Sequence, residues 1–185
     1  VRARSVQGFT LIEVLVALVV LAVGVVGAVA THIRSQETQH QSALLSQATQ
    51  LANSLAERMR ANPVAMAAPD ASNPYLQFDY DSEAGLPPAP ASSCYGDVSC
   101  SPATLAASDL FETGRALHDG FPRARVRVCR DIAPWNESAG SLAWECDDST
   151  GAPVVIKLGW RLKAQAGAAS RFVPAVAVIA SGKAP

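Results

Sequence analysis

The sequence predicts an α+β fold: a long N-terminal α-helix, transmembrane in its first half, packed on a C-terminal antiparallel β-sheet head. Three observations predict it. Phe9–Ala30 is an almost unbroken apolar run. Thr31–Arg60 holds no proline or glycine and repeats apolar residues at steps of three or four. The C-terminal third alternates apolar and charged residues in short runs, the period of a strand.

The whole chain sets the frame. Its 185 residues suffice for one compact domain plus an extension. Net charge is -1, and the basic residues are scattered, so no electrostatic footprint for nucleic acid stands out. Val1 stands where a methionine would open a reading frame, which points to an alternative start codon or a trimmed N-terminus.

As a helix, Phe9–Ala30 spans roughly 33 Å, enough for a bilayer core of about 30 Å. Its β-branched valines do not prevent helix there, because backbone groups in lipid must bond internally. Arg2 and Arg4 precede it, and positive charge holds that end in the cytoplasm, leaving the rest to face outward. Glu13 is the one charge inside the run. A plain single-span anchor would tolerate it near the cytoplasmic end. A secretory signal peptide is the other alternative, with Ala28-Val29-Ala30 as a small-x-small site before Thr31. The run is longer than the usual signal of about 7–15 apolar residues, and an acidic residue inside it is out of place.

After the apolar run, Leu44, Ala48, Leu51, Leu55 and Met59 form one stripe of an amphipathic helix, with Gln36, Gln39, Gln47, Asn53 and Arg60 on much of the remainder. Asn62-Pro63 is a stop signal. The simplest reading is one helix of about 50 residues, roughly 75 Å long. A signal peptide has no reason to continue in helical register into the mature chain.

Gly8-Phe9-Thr10-Leu11-Ile12-Glu13-Val14, after a short basic leader, resembles the class III signal of type IV pilins and type II secretion pseudopilins. The resemblance implies that a prepilin peptidase cuts between Gly8 and Phe9 and N-methylates Phe9. Glu13 matches the family's acidic residue, fifth in the mature chain; its four-residue spacing from Phe9 permits a contact within one helix, and the resemblance implies instead that it meets the terminal amine of an adjacent subunit and sets assembly register. The stretch "QATQLANSLAERMRANP" resembles the PilV-type minor pilins, or type IV pilus modification proteins, whose helix closes with a phrase like Ala56–Asn62. The likeness covers Gly8–Pro63. It implies a pilin-like fold with a leader at 1–8, a transmembrane and filament-core helix at 9–30, an amphipathic half at 31–62 and a periplasmic head at 63–185.

The implied role is that of a minor pilin in type IV pilus assembly, initiation or a tip complex, held by a single pass in the inner membrane and incorporated into the pilus. The implied partners are the prepilin peptidase, other minor and major pilins and the inner-membrane assembly platform. No cofactor or catalysis is implied. A pseudopilin of a type II secretion system is the alternative, and the helix-closing phrase favours the pilus. Unlike many major pilins, the apolar helix holds no proline, and Gly24 and Gly27 supply its one soft point.

Beyond the helix, residues 67–93 read as a proline-rich surface loop. The acidic run Asp79-Tyr80-Asp81-Ser82-Glu83 lacks the glycine and terminal glutamate of a calcium loop, so no metal site is expected. Ser101-Pro102 opens a helix that Gly120-Phe121-Pro122 ends, with Ala106, Leu110, Thr113 and Leu117 on one face. Arg125–Cys129 alternates as a strand. So does Val154–Lys163, with Val154, Ile156, Leu158, Trp160 and Leu162 on one side and Lys157, Arg161 and Lys163 on the other. Phe172–Ala180 reads as an inner strand, with Pro174 near its start.

Cys94, Cys100, Cys129 and Cys146 make no C-x-x-C pair, which excludes the common zinc and thioredoxin-like patterns. All lie on the outward side, where disulfides persist. Three connectivities are open, and local pairing, Cys94–Cys100 with Cys129–Cys146, is favoured. His32, His40 and His118 are isolated, and no G-x-S-x-G, P-loop or H-E-x-x-H occurs. Trp160 has the strand phase of a core residue. Trp135, Trp144 and Trp160 together are also the composition of a sugar-binding face. Trp135-Asn136-Glu137-Ser138 matches an N-glycosylation acceptor by pattern alone.

Overall fold

The computed structural model describes residue 8, residues 10–161 and residues 172–181. Phe9, the leader before Gly8, and the expected strand residues Leu162 and Lys163 lie outside the described residues. The chain divides into two compact units, Val1–Ala43 and Leu44–Pro185. Helix α1, Leu11–Ala61, contributes residues to both.

In the second unit, α1 supplies the buried residues Leu44, Ala48, Ala52, Leu55, Ala56 and Met59. The expected stripe is therefore in place, broadened by two alanines, while Leu51 packs against it half-buried. A short turn, α2 (Pro63–Met66), follows, with Asn62 as its cap and Pro63 at its first position. Helix α3 spans Pro102–Gly120 and is capped by Ser101, whose side chain accepts from the Thr104 N–H. It buries Ala106, Thr113 and Leu117.

Six strands follow the chain: β1 (Asp79–Asp81), β2 (Ala124–Arg130), β3 (Trp135–Asn136), β4 (Ser141–Leu142), β5 (Val154–Trp160) and β6 (Val176–Ser181). β3 and β4 form a small hairpin, and the others form an antiparallel sheet in the order β1-β2-β5-β6. The register places Val126 opposite Leu158, Val128 opposite Ile156, and Ile156 opposite Val178. These residues join Leu55, Met59, Ala106 and Leu117 in one core. Alternation along the strands makes this one face of the sheet.

Three expectations change. The segment 67–93 is not all loop, because Asp79–Asp81 is an edge strand paired with β2. Its charged residues hide the strand in the sequence, and arginines on and near β2 receive them. β5 ends at Trp160, and Arg161 leaves the sheet with its N–H donating to the Pro122 and Arg123 carbonyls. The last strand starts at Val176 rather than Phe172, because Pro174 has no N–H to give to the ladder.

The opposite face of the sheet is also covered. The long connection from β2 to β5 folds over it, carrying the Trp144 ring to within 3.1 Å of where a Cβ on Gly159 would stand. That Cβ would also lie 2.7 Å from the Val173 carbonyl, so only glycine permits this approach. A Cys129–Cys146 disulfide, with Cα atoms 6.3 Å apart, ties the connection to β2. Cys94 and Cys100 are joined in the other disulfide. Lys157, alternating away from the core, is consequently fully buried. It forms an ion pair with Asp131 and donates to the Glu145 carbonyl.

Both edges of the sheet are blunted. β1 is three residues long and charged, and at β6 the Arg60 guanidinium donates to the Ile179 carbonyl at 3.2 Å.

The Lys157–Asp131 pair generates a prediction. Truncating either partner leaves the other charge buried without compensation, at a cost of about 3–5 kcal/mol. Asp131→Ala and Lys157→Ala should each lower the unfolding midpoint of the detergent-solubilised chain strongly. The double variant Lys157→Met/Asp131→Leu should recover most of the loss. Unfolding followed by near-ultraviolet circular dichroism measures both effects.

Candidate functional site

The described part of the first unit is Gly8, Thr10 and the N-terminal part of α1. The first turn of α1 is built by Thr10, which stands just outside the helix. The Glu13 N–H donates to the Thr10 carbonyl at 3.1 Å and to its Oγ1 at 3.4 Å, and the Val14 N–H donates to the same carbonyl. Thr10 is therefore the N-cap, and Glu13, three residues on, completes the Thr-x-x-Glu spacing of a capping box. A carboxylate in the first turn also meets the positive end of the helix dipole. The spacing was present in the sequence, masked by the stronger apolar pattern around it.

From Leu11 to Val29 every side chain is exposed, and Leu11, Ile12, Val20, Val23 and Val26 are the most so among the large ones. Among the described residues, this is the one helix long and apolar enough to cross a membrane by length and composition. Apolar surface on all sides of a helix requires cover from lipid or from other helices. Gly24 and Gly27 lie in open space. Beyond this stretch His32 pairs with Gln36 at 3.0 Å, one helical turn on.

At the other end of α1, Ala56–Asn62 forms a clasp. Ala56 and Met59 are fully buried. Arg58 Nη1 donates to Asp109 Oδ1 at 3.0 Å and to Glu112 Oε2 at 2.7 Å, both on α3. The Tyr75 hydroxyl donates to Asp109 Oδ2 at 2.8 Å. Asn62 Nδ2 donates to the Tyr75 hydroxyl at 3.2 Å and to the Pro102 carbonyl at 2.7 Å. Tyr95, from the loop closed by Cys94 and Cys100, donates to Glu112. Burial, then the Asp109 carboxylate, pushes the Tyr75 hydroxyl well above its ordinary value, so it stays a donor. Burial alone would raise the Glu112 carboxyl, but hydrogen bonds from Tyr95 and Arg58 outweigh it and hold the group below the usual range. Of these partners only the Asn62-Pro63 stop was legible in the sequence.

The remaining sequence candidates separate. Asp79 takes a bidentate pair from Arg125 at 2.8 and 2.7 Å, and Glu83 takes Arg123 at 2.8 Å, so arginines occupy the acidic run. Among the described residues no cluster of three His, Cys, Asp or Glu is placed to hold a metal. Trp160 packs on Phe121 with ring centroids 5.5 Å apart, on the core face. Trp144 lies against the opposite face beneath the Arg125 guanidinium. The three tryptophans therefore share no platform.

Residues 3–29 match the family described as the prokaryotic N-terminal methylation motif. Over that stretch the chain is similar to prepilin-type N-termini, which supports a pilin-like protein anchored by its apolar helix and processed by prepilin peptidase. No curated protein and no solved structure matches the chain.

The clasp predicts a pH dependence. A carboxyl held below its unfolded value contributes stability at pH above that unfolded value, about 4.3 for glutamate, and the contribution is lost as pH falls through the folded value. Asp70, held down by its hydrogen bond from Arg130, acts in the same direction. Acid titration should therefore lower the melting temperature below about pH 4.3. Glu112→Gln should lower stability modestly at neutral pH and flatten the acid limb, with Asp70 and Asp147, the latter held down by the Ser149 N–H and hydroxyl, supplying the remaining slope. Thermal melts across the pH range read this out.

Proposed function

We propose that the chain is a PilV-type minor pilin. Prepilin peptidase removes residues 1–8 by cutting between Gly8 and Phe9, and the new Phe9 amine is N-methylated. Residues 9–30 then hold the protein in the inner membrane. Residues 31–62 continue the helix into a head at 63–185 on the periplasmic side. The assembly platform transfers the subunit into the pilus among other minor and major pilins. It binds no cofactor and catalyses nothing. The observation that carries this reading is the methylation motif heading an apolar helix that is exposed on every side. Such a helix is at home in lipid and equally among the helices of neighbouring subunits. The likeness of Ala56–Asn62 to the helix-closing phrase of PilV-type minor pilins supports the pilus over a secretion piston.

The processing step is tested by mass spectrometry of the chain from sheared pili and from the membrane fraction. The expected N-terminus is N-methylated Phe9. A terminus at Thr31 would support the signal-peptide reading instead.

The assembly step is tested at Glu13. Glu13→Leu should leave membrane insertion and cleavage close to wild type but sharply reduce the amount of chain recovered in sheared pili. Blots of membrane and pilus fractions compare the two. Normal recovery of the leucine variant would show that the carboxylate does not dock the subunit.

A further inference from the structure

The outer edge of β2 is incompletely paired. The Val128 N–H donates outward to the Phe78 carbonyl at 2.9 Å, so even-numbered residues of β2 turn their backbone groups toward that edge. The reciprocal bonds are not made. The Phe78 N–H turns back to the Tyr75 carbonyl, and the Leu76 N–H turns back to the Asn73 carbonyl. The Arg130 carbonyl is taken by the Asp148 N–H. Among the described residues this leaves the Val128 carbonyl and the Arg130 N–H without a partner, side by side along the strand. Both residues line an open groove of about 400 Å³, with Leu76, Phe78 and Ala71 among its walls.

We propose that this groove receives an extended main-chain segment of a neighbouring pilin subunit, which adds to β2 where β1 stops. The proposal rests on the pilin reading above. The unmade pair is one carbonyl and one N–H two residues apart, the pattern that a strand backbone satisfies. A parallel segment needs a single residue, its N–H donating to the Val128 carbonyl and its carbonyl accepting from the Arg130 N–H. The chain's own adjacent segment cannot fill the slot, because its N–H groups are committed to local turns. Most of the groove's charges are committed, since Arg130 is held by Asp70 at 2.6 Å and Asp79 by Arg125, while Asp148 on its wall has no ion pair among the described residues. The unmet backbone pair is the specific feature to be recognised, with Leu76 and Phe78 offering apolar contact on one side.

Hydrogen exchange compares the detergent-solubilised full-length subunit with the same chain in sheared pili. The Arg130 amide should exchange at least about tenfold more slowly in pili. Ala71 is exposed on a short turn, so Ala71→Trp should fill the groove and leave the melting temperature near wild type. This variant should be processed normally but depleted from pili, whereas Ala71→Ser should not be. Equal Arg130 exchange in the two states, or undiminished incorporation of Ala71→Trp, overturns the proposal while leaving the pilin reading standing. Absence of the wild-type chain from pili overturns both.

Discussion

One face of α1, from Leu44 to Met59, must be buried, and the second unit is arranged around that requirement. Ala48, Ala52 and Ala56 lie on this face and are essentially inaccessible. Small side chains there let other elements approach the helix backbone closely, while Leu44, Leu55 and Met59 fill the space beside them. Each fully buried large apolar side chain contributes about 1.5–3 kcal/mol. The matching surface is the inner face of the sheet, where Val126, Val128, Ile156 and Leu158 form a cross-strand patch. The polar clasp then fixes the end of the helix. Arg58 and Asn62 satisfy groups on α3 and on the segment after α2 that the burial of Tyr75 would otherwise strand. A phrase that reads as a family marker in the sequence is thus a structural device: two residues for the core, one for an ion pair, and one for a cap.

The sheet has two buried faces, and this explains what the strand pattern alone does not. A half-exposed sheet should alternate apolar with polar. β5 does so around Lys157, yet Val155 and Lys157 are both buried. The cover on that side comes from a connection with little regular structure of its own, held by a disulfide, a Trp144 ring and a bare Gly159 backbone. A lysine beneath such a cover needs a specific anion, and Asp131 lies at the start of the same connection. The ion pair joins the start of that connection to β5 at one defined place.

Much of this fold was legible, for identifiable reasons. The long helix, its buried stripe and its stop at Asn62-Pro63 follow from period, uninterrupted length and one proline. α3 follows from Ser101-Pro102 and a four-residue apolar step. β1 was not legible, because Asp79-Tyr80-Asp81 has the composition of a loop. It becomes a strand only when Arg125 and Arg127 are brought beside it by pairing with β2. The clasp was hidden for a related reason. Its members lie as far apart as Arg58 and Glu112, and none is unusual in its local sequence. Tertiary partnership decides such positions, and no local period reports it.

The N-terminal turn poses the sharper question of why a carboxylate sits at the head of an apolar helix. The Thr10 N-cap accounts for the Glu13 backbone, since Thr10 satisfies its N–H. It does not account for the charge. Among the described residues the Glu13 side chain has no hydrogen bond or ion pair. The helix dipole offers a first-turn carboxylate about 0.3–1 kcal/mol. Insertion scales put the cost of an acidic residue deep in a bilayer at roughly 2.5–3.5 kcal/mol. The dipole alone leaves most of that cost standing, and glutamine would keep the same Thr-x-x-Gln spacing without it. Capping therefore explains the position of the residue but not the choice of a carboxylate. A cation from outside the helix's own side chains would offset that cost wherever this end leaves the interface. Under the processing proposed above, the terminal amine of Phe9 on a neighbouring chain would have the right charge, and pairing with it would hold adjacent helices at one axial offset.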